Sequence, residues 1–159
     1  MSTFNVGIGE WVVANGKDDV IKTYALGSCI AVIIIDTKLQ IAGLIHIALP
    51  DSTIDAEKAK KLPGYFADTG LPLMIEEMKE KGSVRANIMV KIAGGATVMD
   101  DKGIFDIGKR NLLAAKRILW KSSLGAVGED TGGEISRTVT VRVADGETTI
   151  SSSNKQWQI

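Results

Sequence analysis

Two apolar runs in the first third of the chain set the first expectation: CIAVIIID at 29–36 and LQIAGLIHIAL at 39–49, parted only by the polar pair Thr37-Lys38. Runs of this length, rich in isoleucine and valine, read as β-strands, and the polar break between them predicts a β-hairpin. Because the apolar residues are continuous rather than alternating, the hairpin is expected at the centre of a sheet, covered on both faces. A two-residue turn at Thr37-Lys38 would pair Asp36 with Leu39, Ile34 with Ile41, Val32 with Gly43, Ile30 with Ile45 and Cys29 with His46. Thr-Lys is not the Asn-Gly or Asp-Gly that such a turn favours, and a slip of one residue would send the last pair to opposite faces.

Shorter strands are expected before the hairpin at 4–7, 11–14 and 20–24, punctuated by glycine and by Lys17-Asp18-Asp19. After Pro50-Asp51 the pattern turns polar and charged through STIDAEKAKKLPG, a surface excursion over 51–66 with room for a short helical turn. Leu71, Met74, Ile75 and Met78 recur at helical spacing within 68–81, with Pro72 near the start and Gly82 just past the end. They predict a helix packed on the sheet. NIMVKI at 87–92 reads as a further strand running into Ala93-Gly94-Gly95-Ala96. Neither the Gly-Lys-Ser/Thr of a P-loop nor GxGxxG is present, so the glycines point to close backbone approach rather than a phosphate cradle. Residues 106–121 form a second amphipathic pattern, whose faces are set by Leu112, Leu113, Ala115, Lys116, Leu119 and Trp120. The end is β again, at 126–130, 136–143 and 148–152, with turns at Thr131-Gly132-Gly133 and Asp145-Gly146. The polar tail SNKQWQI has no readable pattern, although its tryptophan could dock on the body or on a partner. Strands dominate and two helices interrupt them, which predicts an α+β sandwich rather than regular βαβ winding, in one domain over 1–159.

Composition narrows the function classes. The 159 residues carry 19 basic and 19 acidic side chains without a basic cluster, so a nucleic-acid or anionic-membrane surface has no electrostatic support. Partners are expected to be proteins or small molecules. No apolar stretch approaches the ~18 residues of a membrane span, and the N-terminus lacks the pattern of a secretory leader. The single cysteine and single histidine exclude an internal disulfide, suit a cytosolic protein, and leave a zinc site short of ligands; no metal or cofactor is expected.

That one cysteine and one histidine are also the candidate chemistry. Neighbours across an antiparallel ladder share a face, so Cys29 and His46 could act as a thiol–imidazole pair. A thiolate attacks carbonyl carbon and an imidazolium protonates the departing amine. Gly27 before Ser28 permits a tight turn that would present the N–H groups of Ser28 and Cys29 to an oxyanion. The bland alternative is a buried thiol and a hydrogen-bonded core histidine.

Beyond these residues, the chain resembles a known family. TYALGSCIAVIIID, GLIHIALP, KIAGGATVM, FDIGKRN, DTGGEISRTV and the closing glycine hairpin resemble, in the same order, the CheD family of chemoreceptor glutamine deamidases. The resemblance implies a layered α/β sandwich similar to the catalytic domain of cytotoxic necrotizing factor toxins. It implies conversion of receptor glutamine side chains to glutamate with release of ammonia, through a thioester. Cys29 would be the nucleophile, His46 the general base and acid, and Thr23 the residue that orients the imidazole. The implied partners are the cytoplasmic helical region of chemotaxis receptors and a CheC-type phosphatase, engaged around the pocket by the 51–66 excursion and Phe105. A non-enzymatic regulator that only binds receptor or phosphatase, and a cysteine peptidase acting on backbone amides, are the competing readings.

Overall fold

The computed structural model describes residues 2–97 and 106–159, and its architecture follows from how the apolar hairpin is covered. Strands β4 (Ile30–Asp36) and β5 (Ile41–Ile47) are buried at every position. They lie in the middle of a five-stranded sheet of order β2-β5-β4-β6-β7, with β2 at Trp11–Ala14, β6 at Ile88–Gly94 and β7 at Ala126–Thr131. A second five-stranded sheet, β1-β3-β8-β9-β10, contains Thr3–Asn5, Val20–Leu26, Arg137–Arg142, Thr148–Ser152 and Lys155–Gln158.

The two faces of the central sheet build two separate cores. Ile30, Val32, Ile34, Ile45 and Ile47 pack under helices α2 (Ala67–Glu80) and α3 (Ile107–Lys121), against Leu71, Met74, Ala115 and Leu119. Ala31, Ile33, Ile35, Ala42, Leu44 and Ala93 face the second sheet and meet Ile21, Leu26, Val139, Val141 and Ile150. The layers are therefore helices, sheet, sheet. A strand covered on both sides has no reason to alternate polar and apolar residues, which is why β4 reads as an unbroken run. Pairing is mostly antiparallel; the exceptions are β1 with β3, and β6 with β7, the latter joined by a crossover through α3.

The hairpin register differs from the expected one by two residues. Asp36 pairs with Ile41, Ala31 with His46 and Ile30 with Ile47, so Cys29 is not directly opposite His46. The connection is four residues, Thr37 to Gln40, instead of two. Asp36 accepts a hydrogen bond from the Leu39 N–H at 3.0 Å, and Gln40 takes φ 56° to close the loop. Thr-Lys cannot supply the two positive-φ residues of a type I′ turn, so the chain uses a longer loop. Since side chains alternate faces with period two, a shift of two keeps Cys29 and His46 on one face.

Other boundaries move by a few residues. The first strand is at Thr3–Asn5 rather than 4–7, and β3 runs two residues further than expected, to Leu26, through a bulge after Thr23 with Ala25 at φ 56°. Pro72 lies inside α2, near its start as expected. The 51–66 excursion contains helix α1 (Ala56–Lys61), capped by the Asp55 side chain, between two single 3-10 turns. The tail is ordered as β10, and Trp157 docks on the body by donating its indole N–H to Asp130.

Candidate active site

The candidate site lies between the two sheets, where β3 and β5 face each other. Thr23 has the same strand parity as the core residue Ile21, and His46 the same parity as Ala42 and Leu44, so both point into the inter-sheet layer. Both are buried. Around His46 the central sheet carries small side chains: Ala31 is its partner on β4, and Ala93 is the partner of Ala31 on β6. An imidazole fits between the sheets because its neighbours leave the space.

Thr23 Oγ1 lies 2.7 Å from the Val6 carbonyl oxygen and 2.6 Å from His46 Nδ1. A carbonyl only accepts, so the one hydroxyl hydrogen is directed to Val6. Thr23 must then accept from Nδ1–H. This fixes the neutral tautomer of His46 with the lone pair on Nε2. Nε2 is buried and has no hydrogen-bond partner among the described residues. Burial holds the imidazole pKa down at about 4, so the ring is neutral at physiological pH.

Cys29 precedes β4 and packs, half-buried, against the inter-sheet core. Along the strand it is one pleat beyond Ala31, the residue opposite His46, which makes it a diagonal neighbour of the histidine. Diagonal neighbours are about 7–8 Å apart at Cα and remain within reach of long side chains. No hydrogen bond joins Cys29 to His46 among the described residues. Burial pushes the thiol pKa up, and its own backbone N–H offsets part of that rise. Thiol and imidazole are both uncharged at rest.

The chain leading into Cys29 is held by three successive carbonyls. Gly27 O accepts from Ala96 N at 2.8 Å, Ser28 O from Asn111 Nδ2 at 2.9 Å and Cys29 O from Gly95 N at 2.9 Å. Each peptide plane is thereby oriented, and the N–H groups of Ser28 and Cys29 point away from the bonded carbonyls. Neither N–H donates to a backbone carbonyl among the described residues. Gly94 makes this approach possible: it takes φ 106°, and a Cβ there would come within 2.3 Å of the Cys29 carbonyl oxygen. The double glycine serves close backbone contact, as its sequence suggested.

Two features escaped the sequence reading. Asn111, fully buried on α3, donates from one nitrogen to Ser28 O and to Ala48 O, at 2.9 and 3.0 Å. Its signal was a polar residue in the buried stripe that continues as Ala115 and Leu119. The second is the ion pair of Arg137 with Asp130 at 3.1 Å, whose guanidinium also reaches Gly94 O. Phe105 lies outside the described residues. Among those residues no group of three His, Cys, Asp or Glu side chains is placed to hold a metal ion, and no helix is long and apolar enough to cross a membrane.

Comparison with known proteins places the chain in a family. The profile described as CheD chemotactic sensory transduction matches residues 48–152. The chain is 46% identical to a probable chemoreceptor glutamine deamidase CheD of Syntrophotalea carbinolica, over the full length of both. It is 44% identical to one of Syntrophus aciditrophicus, covering 93% of this chain and 92% of that protein. A probable chemoreceptor glutamine deamidase CheD of Methanococcus vannielii is 40% identical across 95% of this chain and 92% of its own. The chain belongs to the CheD family.

Proposed function

We propose that this protein is a cysteine-dependent protein-glutamine deamidase acting on chemotaxis receptors. The observation that carries the reading is the imidazole of His46: buried between the sheets on the face it shares with the only thiol of the chain, locked by Thr23 with Nδ1 protonated, and unpaired at Nε2 among the described residues. Relatives of this chain are named probable chemoreceptor glutamine deamidases, which supports the substrate class. In the reaction, the Cys29 Sγ proton passes to His46 Nε2 as sulfur bonds to the glutamine Cδ. The tetrahedral oxyanion is held by the N–H groups of Ser28 and Cys29, which follow the bend at Gly27-Ser28. The C–N bond then breaks, and ammonia leaves with the proton from Nε2. Water, deprotonated by His46, cleaves the thioester to glutamate and restores the thiol.

Thr23 is a hydroxyl in the place where many triads have a carboxylate. It fixes the tautomer without charge, so the imidazolium gains less than it would from aspartate. A base whose conjugate acid is little stabilised suits a site where imidazolium exists only in passing. In the same reading the substrate segment belongs to the helical cytoplasmic region of the receptor, the protein is cytoplasmic, and a CheC-type phosphatase is a second partner.

The test is co-expression with a chemoreceptor and mass analysis of its peptides. The wild-type chain should convert glutamines, each with a gain of about one dalton, and Cys29→Ala should abolish this. Undiminished conversion by Cys29→Ala overturns the nucleophile. Receptor binding without conversion favours the non-enzymatic regulator, and backbone cleavage favours a peptidase.

A further inference from the structure

We infer that Asn111 is a positioning residue that ties the nucleophile loop to the histidine strand and so orients the Cys29 N–H. The β4–β5 ladder ends at the pair Ile30 and Ile47. Past that point no backbone rung joins Ser28-Cys29 on one side to Ala48-Leu49 on the other among the described residues. Asn111 Nδ2 supplies one: its two hydrogens go to Ser28 O and Ala48 O, at 2.9 and 3.0 Å. A carboxamide nitrogen can do this because it carries two donors on one atom; no aliphatic side chain can, and a carboxylate would set oxygen against oxygen. The bond to Ser28 O fixes the Ser28–Cys29 peptide plane, and with it the direction of the Cys29 N–H.

The arrangement is specific in its position on α3. Asn111 lies one turn before Ala115 and two before Leu119 on the buried stripe, where an apolar residue would serve packing alone. Burying a carboxamide there is costly unless its hydrogens are used, and both are. Asn111 Oδ1 has no partner among the described residues. The helix thus retains a polar residue for the sake of the two carbonyls it binds. Because the Cys29 N–H favours the thiolate, releasing the peptide should also change the thiol.

The catalytic consequence rests on the deamidase reading, but the positioning itself does not. The sole cysteine can be titrated by following its rate of alkylation with iodoacetamide against pH. We compare wild type, Asn111→Ala, the isosteric Asn111→Asp, and Leu119→Ala as a control that loosens α3 without touching the carbonyls. All are measured below their melting temperatures. Both Asn111 variants should show the alkylation profile displaced to higher pH, with a rate at pH 8 lowered about 3- to 10-fold, while Leu119→Ala follows wild type. With receptor as substrate, kcat should fall about 10- to 100-fold with KM retained, less than the loss of an oxyanion donor outright. An unchanged or faster alkylation profile in the Asn111 variants, or an equal displacement in Leu119→Ala, overturns the inference. So does failure of both Asn111 variants to fold, which would make Asn111 a support of the fold. A wild-type chain that converts no glutamine removes the proposed function, yet the alkylation profiles still decide the role of Asn111.

Discussion

At the scale of single residues, the state of His46 controls both chemistry and stability. Its pKa is held down at about 4 by burial, against an ordinary 6.5, so the folded protein resists protonation there while the unfolded chain accepts it. Stability gained from the neutral ring is complete above pH 6.5 and is lost as pH falls toward 4. The unfolding free energy should therefore drop between pH 7.5 and pH 4.5 by about 2 kcal/mol more in wild type than in His46→Gln. Equal drops in urea titrations would show that the ring is not buried neutral. For the reaction, kcat/KM should show no inflection near the ordinary histidine pKa, because the free base is already neutral there. Thr23 is tested separately: Thr23→Ser keeps the relay to Val6, whereas Thr23→Val removes it and should lower kcat by about 10- to 100-fold through loss of the fixed tautomer. A Thr23→Val enzyme as fast as Thr23→Ser would leave threonine only a packing role.

Among the elements, the hairpin shows what the sequence made legible and what it did not. Continuous isoleucine and valine announced two buried central strands, and the alternation of faces kept Cys29 and His46 together even though the pairing was two residues off. The register itself was hidden because it depends on the loop, where Asp36 turns its carboxylate onto Leu39 N–H and Gln40 adopts a positive φ. Neither residue advertises that conformation in a one-dimensional pattern. The same holds for Asn111 and Arg137, whose partners are 83 and 43 positions away at Ser28 and Gly94. Gln40 offers a direct check: it is exposed at φ 56°, a conformation glycine takes without strain. Gln40→Gly should leave stability unchanged or raise it by up to about 1 kcal/mol, despite the added chain entropy. A clear loss in the urea midpoint would mean that Gln40 contributes through its side chain, which reaches Ala144 O at 3.4 Å.

Across the whole molecule, the two sheets share an apolar interior but also need a polar fastening at the end near Cys29. Arg137 provides it. The residue starts β8 in one sheet, is 4% exposed, and bonds Asp130 on β7 and Gly94 O on β6 in the other. Trp157, from β10, donates to the remaining carboxylate oxygen of Asp130. One guanidinium and one carboxylate thus join four strands from both sheets, beside the glycine that lies against the Cys29 carbonyl. Other ion pairs, such as Lys116 with Glu129 at 3.0 Å, are too exposed to matter comparably. Arg137→Ala would leave the Asp130 carboxylate, 19% exposed, with the indole N–H alone. Breaking a buried pair from one side is costly because the surviving charge stays desolvated, so unfolding free energy should fall by about 3 kcal/mol. Adding Asp130→Asn to Arg137→Ala removes that charge and should recover part of the loss, on the order of 1 kcal/mol. Urea denaturation of the two single variants and the double variant closes the cycle. If the double variant is no more stable than Arg137→Ala, the latch acts through packing of the guanidinium stem and not through its charge.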